Sequence, residues 1–515
     1  MSKNTIVYNV GLSVLYRLIR LVGLVLVRRL LIQYAGNDAN GLHAFYLGVM
    51  GFLTVAELGV GDAISYAMYR PIVECREAEV AALYQLFRRA YRIIAAVIFG
   101  MGLALIPLLP RLVKGYAALN VDLEKTYFLM LVSVVMTYLF GAETSLINAH
   151  KRNYVTAGIS FLSAMVQYGL QAAVLVHTGS FENYLYCVIA AAGLQWLLTR
   201  MAVRKSYNSI LRCSPQRLGT EQRKSLAANI RAMFLHRLGY ALVNSVDSMV
   251  ISALLGVSLL GKFSNYTIIV TAMLSVISLV FTPLTSTVGH MLVSCRKQAE
   301  ESFWHFSTVN YLIGVIFFLG YYAVADPLIA LLFGQGLEMG AAVVFAVTVN
   351  YFVQFMRDTN HLYRSASGAF YYDRWKPLAE GIFNLILSVV FTLLLKGRFG
   401  AEAGAAGVIL ATIITNLMIC HIVEPYVIFR HIFHAPVRRF YLRNYSRIAL
   451  FVVVLWWMHG FMAEAAAPIP LLFRNGCLSL LFSGSLAIVT VLSDRPFRQF
   501  CTEMMRNVIW RKKSV

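Results

Sequence analysis

The chain has 515 residues, of which 59% are hydrophobic and 13% are charged. Soluble proteins average about 45–50% apolar and about 25% charged residues, so the composition excludes a soluble enzyme or binding domain. The formal net charge is +21. It does not indicate nucleic-acid binding, because most basic residues lie in short segments between long apolar runs. An all-α integral membrane protein is therefore predicted.

Apolar runs bounded by polar clusters predict fourteen transmembrane helices, since about 20 apolar residues cross the hydrocarbon core of a bilayer. The predicted spans are residues 6–34, 41–67, 91–109, 127–147, 155–177, 183–203, 236–256, 264–292, 305–332, 340–363, 378–395, 404–429, 448–463 and 471–492. The first run is too long and too rich in arginine for a cleaved signal peptide, so we expect it to be retained. The first twelve spans form two sets of six, to which the last two are an addition.

Basic residues are distributed unequally between the two sides of these spans. Alternate loops and the C-terminal tail hold 29 Lys and Arg residues, against 7 in the remaining loops. The positive-inside rule then predicts that both termini are cytoplasmic. Seven cysteines are present, with no CxxC pair and none in a predicted outer loop. Neither a disulfide nor a metal site is expected.

The first span carries a stripe of polar residues on one face. At about 100° per residue, one sector of roughly 100° contains Asn9, Ser13, Arg17, Arg20 and Arg28. An arginine at mid-membrane costs at least about 2.5 kcal/mol, so this face needs water, counter-ions or an anionic ligand. In a structural interpretation, Arg17 and Arg20 pair with acids of neighbouring spans, while Arg28 and Arg29 anchor the outer end. In a functional one, Arg17, Arg20 and Arg28 bind an anion, and guanidinium geometry suits phosphate. We favour the functional interpretation, with Arg29, on another face, as the outer anchor.

Acidic and amide side chains occur in two further spans. Glu57 and Asp62 end the second span, where they are either structural counter-ions for the arginines or part of an ion-coupling site. In the seventh span, His236, Asn244 and Asp247 share one face. An intramembrane acid such as Asp247 is a functional candidate. We therefore assign Glu57, Asp62, Asn244 and Asp247 to ion coupling or charge compensation.

The tenth span ends in basic residues. Arg357, His361 and Arg364 have the spacing i, i+4 and i+7, which places them on one helix face. They form either a basic inner vestibule or ordinary positive-inside charge. We favour the vestibule and include Arg357 in the candidate substrate-binding set.

An internal repeat appears at an offset of 220 residues. The matched pairs are Asn9 and Asn229, Arg17 and Arg237, Gly41 and Gly261, and Tyr46 and Tyr266. Two halves of equal orientation imply a pseudo-twofold axis along the membrane normal, and Arg237 joins the substrate-binding set as the counterpart of Arg17. The predicted domains are a lobe at 1–203, a basic cytoplasmic linker at 204–235, a second lobe at 236–430, and a C-terminal part at 431–515 with two extra spans.

Motifs for covalent chemistry are absent from the sequence. There is no GxxxxGK[ST] loop for a nucleotide and no HExxH pair. We therefore predict no catalytic residues, no cofactor beyond a coupling H⁺ or Na⁺, and a secondary transporter instead of an enzyme.

Short motifs follow one another along the chain to about residue 434. They are Glu57-Leu58-Gly59-Val60-Gly61, Ala63-Ile64, Tyr69-Arg70-Pro71, Ala90-Tyr91-Arg92-Ile93-Ile94, Phe234-Leu235-His236-Arg237-Leu238-Gly239, Asp247, Ile251-Ser252, Ser264-Asn265-Tyr266, Asn384 with Ser388, and Glu424-Pro425-Tyr426. In this order and spacing they resemble the polysaccharide-transporter family, the Wzx-type flippases of O-antigen and lipid-linked oligosaccharide. That family belongs to the superfamily that also contains the MATE multidrug exporters and the lipid II flippase. Ala411 and Leu238 depart from the family pattern, but neither is a charged position.

This resemblance implies two six-helix lobes around a central cavity that work by alternating access. It also implies a substrate made of oligosaccharide on undecaprenyl diphosphate, such as a repeat unit of O-antigen, capsule or exopolysaccharide. The expected location is the bacterial inner membrane, with a monomer sufficient for transport and with polymerase or chain-length machinery and membrane lipids as partners. Two alternatives stay open. One is a drug or cation antiporter of the same fold, and the other is a membrane glycan polymerase or ligase.

Overall fold

The computed structural model describes residues 3–57, 60–213, 219, 245–281, 284–369, 372–462 and 467–511. These ranges are helical and contain no β-strand. Helices satisfy every backbone hydrogen bond within one segment, which a lipid environment requires. The chain divides into two compact units, Met1–Lys262 and Phe263–Val515.

The first unit contains the N-terminal helices and a short apolar helix that follows residue 244. The longer ones are α1 Lys3–Leu53, α2 Val60–Val73, α3 Glu77–Leu105, α4 Leu123–Tyr138, α5 Gly141–Ala149, α6 Asn153–Thr178, α7 Phe181–Ser206 and α8 Ser245–Leu254. Helix α9, Val257–Phe281, begins in this unit and ends in the second. The proposed linker at 204–235 lies mostly outside the described residues, so the predicted domain boundaries remain predictions.

The second unit contains the remaining helices. They are α10 Leu284–Ser294, α11 Arg296–Phe333, α12 Ala341–Phe355, α13 Asp358–Ser367, α14 Lys376–Phe399, α15 Ala401–Phe433, α16 Arg438–His459, α17 Pro468–Ser493 and α18 Arg495–Arg511. Helix α15 is irregular, because π-helical stretches at Asn416–Cys420 and Ile428–Phe433 flank its segment His421–Val427. Such bulges are rare and occur frequently at functional sites.

Nine of the helices in the described ranges are long and apolar enough to cross a membrane. They correspond to nine of the fourteen predicted spans. The other five predicted spans carry arginines, are interrupted, or lie partly outside the described residues. Span 340–363, for example, is divided at Met356 and Arg357 into α12 and α13. The all-helical membrane fold is confirmed, while the number fourteen remains a prediction.

Helix α1 contains the first predicted span and the first half of the second. It is interrupted at Gly36, whose φ of 87° and ψ of 165° are not helical. Only glycine reaches this conformation without strain, so the residue separates the two apolar runs. After Leu53 the second span tightens into a 3₁₀ turn, Thr54–Glu57, before α2 begins at Val60. The prediction of one continuous second span was therefore too simple.

The two tyrosines matched at offset 220 each form a hydrogen bond near the start of a helix. In the first unit, Tyr46 donates a hydrogen bond to the carbonyl of Leu123 at 3.0 Å, at the first residue of α4. In the second unit, Tyr266 accepts a hydrogen bond from the backbone N–H of Met339 at 3.0 Å, two residues before α12. The hydroxyls have opposite roles, and the internal repeat remains a prediction.

An aromatic cluster forms the core of the second unit near its charged residues. The ring of Phe303 lies 5.1 Å from Tyr363, 5.4 Å from Phe429 and 5.5 Å from Phe433. All four side chains are buried. Aromatic pairs at these separations stabilise a core beyond their buried area, so α11, α13 and α15 are held in a fixed arrangement.

Candidate functional site

On helix α1, the residues that we call the arginine stripe, Arg17, Arg20 and Arg28, lie on a different face from exposed apolar side chains. Val22 and Leu26 are 53% and 57% exposed, and they lie roughly 140–180° around the helix from Arg17. Arg20 is exposed and Arg28 is half-buried. The side chain of Arg17 lies outside the described side chains. The face that suits lipid and the face that carries the arginines are therefore different.

Helix α6 packs closely against α1 beside this stripe. A Cβ atom at Gly23 would lie 2.2 Å from the ring of Tyr168, so glycine allows the aromatic ring to reach the helix backbone. The Tyr168 hydroxyl donates a hydrogen bond to the backbone carbonyl of Arg20 at 3.4 Å. This contact fixes the backbone of α1 at Arg20.

Arg28 lies in a polar group formed by α1, α6 and α7. It is close enough to His43 and Tyr184 to interact with them electrostatically, and the rings of these two residues are 5.6 Å apart, edge to face. Gln171 is fully buried beside Tyr184. Arg29, the next residue, is exposed. The structure thus places the two adjacent arginines in different environments, as the helical pattern predicts.

Glu57 has a defined partner at the break between α1 and α2. Its carboxylate accepts a hydrogen bond from the Tyr91 hydroxyl at 2.6 Å. Gly61 lies against the same pair, since a Cβ atom there would be 2.4 Å from the Tyr91 hydroxyl oxygen. The side chain of Asp62 lies outside the described side chains. A counter-ion or coupling role for Glu57 and Asp62 remains a prediction.

Two predicted residues of the seventh span, Arg237 and Asn244, lie outside the described residues, as does His236. Asp247 is described in α8 and is half-buried. The assignment of these residues to substrate binding or ion coupling stays a prediction.

Arg357 lies in a buried ion cluster of the second unit. Its guanidinium donates to the two carboxylate oxygens of Glu424 at 2.6 and 3.2 Å, and also to the amide oxygen of Asn416. Lys376 contacts the same carboxylate at 2.5 Å and Glu380 at 3.3 Å. Glu380 lies 3.5 Å from Arg357 as well. We call these five residues the buried ion cluster.

The cluster combines two cations with two carboxylates, so its formal charge is zero. The charged side chains are at most 10% exposed. Burying them costs several kcal/mol per ion, which close, hydrogen-bonded partners must offset. Loss of either carboxylate charge would leave an uncompensated cation inside the unit. Because the two cations and the two carboxylates are paired with one another, binding of a proton or an ion by the cluster requires these ion pairs to rearrange.

Helix α15 supplies the centre of the buried ion cluster. Asn416 and Glu424 lie in or beside its π-helical stretches. His421 contacts the carbonyl of Val353 at 3.0 Å and the amide of Asn444 at 2.8 Å. These contacts connect α15 to α12 and α16. The geometry of the cluster therefore depends on the packing of three helices.

Four members of this cluster were not predicted from the sequence. Glu424 belongs to the Glu424-Pro425-Tyr426 motif, and Lys376 is one of the 29 basic residues counted on the predicted cytoplasmic side. Two acids inside apolar runs, Glu380 and Glu424, were the available signal. Arg357 itself was predicted to bind substrate, and this remains a prediction. To bind the substrate, the guanidinium of Arg357 would have to release Glu424 and bind a phosphate group in its place.

No family model and no curated protein matches this sequence. Solved structures do match. An inward-facing multidrug resistance MATE family transporter of the MOP superfamily has a TM-score of 0.62 and 12% identity, over 86% of this chain and 98% of that chain. The lipid II flippase MurJ, in an inward closed conformation, has a TM-score of 0.61 and 13% identity, over 94% of this chain and 100% of that chain.

A third similar structure is an outward-facing MATE transporter of the same superfamily, with a TM-score of 0.53 and 14% identity over 88% of this chain and 99% of that chain. At these identities the likeness establishes the fold. The chain thus has the fold of the MATE and MurJ transporters, as the sequence analysis predicts.

Proposed function

We propose that this protein is a flippase that moves undecaprenyl-diphosphate-linked oligosaccharide from the inner to the outer leaflet of the bacterial cytoplasmic membrane. The observation that carries the proposal is the arginine stripe of α1 in a chain with the fold of a lipid II flippase. A diphosphate crossing the membrane needs cations, and guanidinium groups bind phosphate oxygens in bidentate geometry. The stripe supplies Arg17, Arg20 and Arg28 for this role, with Arg237 as the counterpart in the repeat.

Three acids that already have partners favour this substrate over a cationic drug. Glu57 accepts a hydrogen bond from Tyr91, and Glu380 and Glu424 are paired with Arg357 and Lys376. A cationic substrate would have to displace these partners. The side chain of Arg20 is exposed, so it can bind an anion without displacing a partner. No covalent step is required, and H⁺ or Na⁺ is the proposed coupling ion.

The test uses proteoliposomes that contain fluorescent undecaprenyl-diphosphate-linked sugar and a membrane-impermeant quencher. Active protein should expose the inner-leaflet lipid to the quencher. Arg17→Ala and Arg20→Ala should abolish this, and Arg20→Lys should retain part of it, because charge is kept while bidentate geometry is lost. Arg28→Ala should reduce transport, whereas Arg29→Ala, one residue away on another face, is the matched control.

Full transport activity after removal of both Arg17 and Arg20 would contradict the proposal that the arginines of α1 bind the diphosphate. Transport of ethidium, with no movement of the lipid-linked sugar, would instead identify a cation antiporter. In cells, the arginine variants should insert normally while surface glycan is lost.

A further inference from the structure

A groove lies at one end of the last helix pair in the second unit. It has a volume of about 1100 Å³ and runs between the first turns of α16 and the last turns of α17. We call it the C-terminal groove. The positive-inside pattern predicts that this end faces the cytoplasm.

Positive charge dominates the C-terminal groove. Its charged lining residues are Arg438, Arg439, Arg443, Arg447, Arg495 and Asp494. Asp494 accepts hydrogen bonds from Arg443 and, at 3.4 Å, from Arg447. Both arginines also donate to the hydroxyl of Thr308, at 2.5 and 3.0 Å. Five cations face one carboxylate, which leaves a formal charge of +4.

Three of these arginines line the groove without a carboxylate partner. Arg438, Arg439 and Arg495 are exposed, and none of them forms an ion pair with an acid in the part of the chain that the structure describes. The guanidinium of Arg439 lies 5.5 Å from the centre of the Trp304 ring, a cation–π contact that holds it in place. The groove therefore offers cations that an external anion can bind.

The other lining of the C-terminal groove is apolar. Leu442 and Val489 are 66% and 55% exposed, and Leu450 lies two turns beyond Leu442 on α16. The exposed side chains continue away from the arginines through Val453 and Trp456. A ligand of the groove should thus be an amphiphile, with an anionic head beside the arginines and hydrocarbon along the helices.

We propose that the C-terminal groove binds an anionic glycerophospholipid of the inner leaflet, with the phosphate held by Arg438 and Arg439. Juxtamembrane arginines attract such lipids, which are concentrated at the cytoplasmic surface. A lipid-linked oligosaccharide fits less well. The neutral hydrogen-bonding groups that a sugar chain needs are few here, mainly Ser446, Thr490 and Ser493. A free phosphate ion would leave the apolar wall uncovered.

The test measures how lipids raise the thermal-unfolding midpoint of the purified full-length protein in detergent. Dioleoylphosphatidylglycerol should raise the midpoint in a saturable way, whereas dioleoylphosphatidylcholine and inorganic phosphate should not. Arg438→Gln/Arg439→Gln should weaken the apparent affinity for phosphatidylglycerol about fivefold for each arginine removed. Both side chains are exposed, so the double variant should fold normally.

The matched control is Arg204→Gln/Lys205→Gln, which removes two adjacent exposed cations at the end of α7. Its affinity for phosphatidylglycerol should equal that of the unchanged protein. The proposal is overturned by equal stabilisation with phosphatidylcholine, or by an equal loss of affinity in the control. It is also overturned if inorganic phosphate alone reproduces the shift, or if undecaprenyl diphosphate requires Arg438 and Arg439 while phosphatidylglycerol does not bind. Transport by the protein does not enter this readout, so failure of the flippase proposal leaves the result interpretable.

Discussion

The backbone of Gly41 lies directly against that of Gly261, its counterpart 220 residues further along the chain. A Cβ atom at Gly41 would be 1.9 Å from the carbonyl oxygen of Val257 and 3.1 Å from the nitrogen of Gly261. Nearby, Asn40 donates to the carbonyl of Gly261 at 3.1 Å, and Asn37 donates to that of Ser258 at 2.7 Å. Positions matched by the repeat are therefore in contact within the first unit, where α1 packs on the start of α9.

Substitution of Gly41 by valine should destabilise the protein, because backbone atoms of α9 cannot move aside as a flexible side chain can. Overpacking of this kind typically costs about 1–3 kcal/mol. The loss should appear as a lower thermal-unfolding midpoint in detergent. Gly169→Ala in α6 is the matched control, since a Cβ atom there meets nothing within 4 Å and alanine favours the helix. Equal midpoints for the two variants would argue against the close packing of α1 and α9.

Breaking the pair of Arg357 and Glu424 should be among the most damaging single changes in the second unit. Glu424→Gln leaves a buried guanidinium without its bidentate partner, and such losses cost about 3–5 kcal/mol. Arg357→Gln/Glu424→Gln should be less damaging than the sum of the single variants. A double-mutant cycle on unfolding midpoints measures this coupling. The exposed pair Arg70 and Glu74, 2.7 Å apart, is the control, and Glu74→Gln should change the midpoint little.

Tyr91→Phe should weaken the break between α1 and α2, because it removes the hydroxyl that donates to Glu57 and leaves a half-buried carboxylate less well hydrogen-bonded. Hydrogen bonds to charged groups contribute about 1.5–3 kcal/mol. Tyr66→Phe, at a residue that is 71% exposed, should be neutral. If the two variants unfold at the same temperature, the contact between Tyr91 and Glu57 contributes nothing measurable to stability.

The two tyrosines matched at offset 220 should differ in their contribution to stability. Tyr46 is hydrogen-bonded to neutral groups, namely Leu123 and Thr126, whereas Tyr266 also donates to the carboxylate of Asp326. Because a bond to a charged group is stronger, Tyr266→Phe should lower the unfolding midpoint more than Tyr46→Phe. The reverse order would mean that the bond from Tyr266 to Asp326 is not formed in the folded protein.

Much of the fold could be predicted from sequence, because apolar runs of membrane length have few alternatives to a helix. The nine membrane-length helices all coincide with predicted spans. Composition could not predict where local backbone geometry interrupts an apolar run. The predicted span 41–67 breaks into a 3₁₀ turn at Thr54–Glu57, and the predicted span 340–363 is divided at Met356 and Arg357.

The candidate site was less predictable than the fold. The different faces of Arg28 and Arg29 follow from helical periodicity alone. By contrast, the partners of Arg357 lie 23 and 67 residues away, and no periodic pattern links residues on different helices. Pairing of Glu380 and Glu424 with cations depends on how α14 and α15 pack against each other. The two π-helical stretches alter this packing, because they change which residues of α15 share one face.

The buried ion cluster also constrains how the protein is made. Arg357 and Glu424 are 67 residues apart, so at about 5–20 residues per second the arginine leaves the ribosome roughly 3–13 s before its main partner. During that interval, α12 and α13 carry a cation that lipid does not solvate. Release of these helices into the bilayer one at a time would cost at least about 2.5 kcal/mol for the unpaired arginine, which favours their staying beside the insertion machinery until α15 is synthesised. A chain truncated between Arg357 and Glu424 would expose an unpaired arginine to the membrane. Quality-control proteases could recognise this charge and so distinguish the truncated chain from the complete protein.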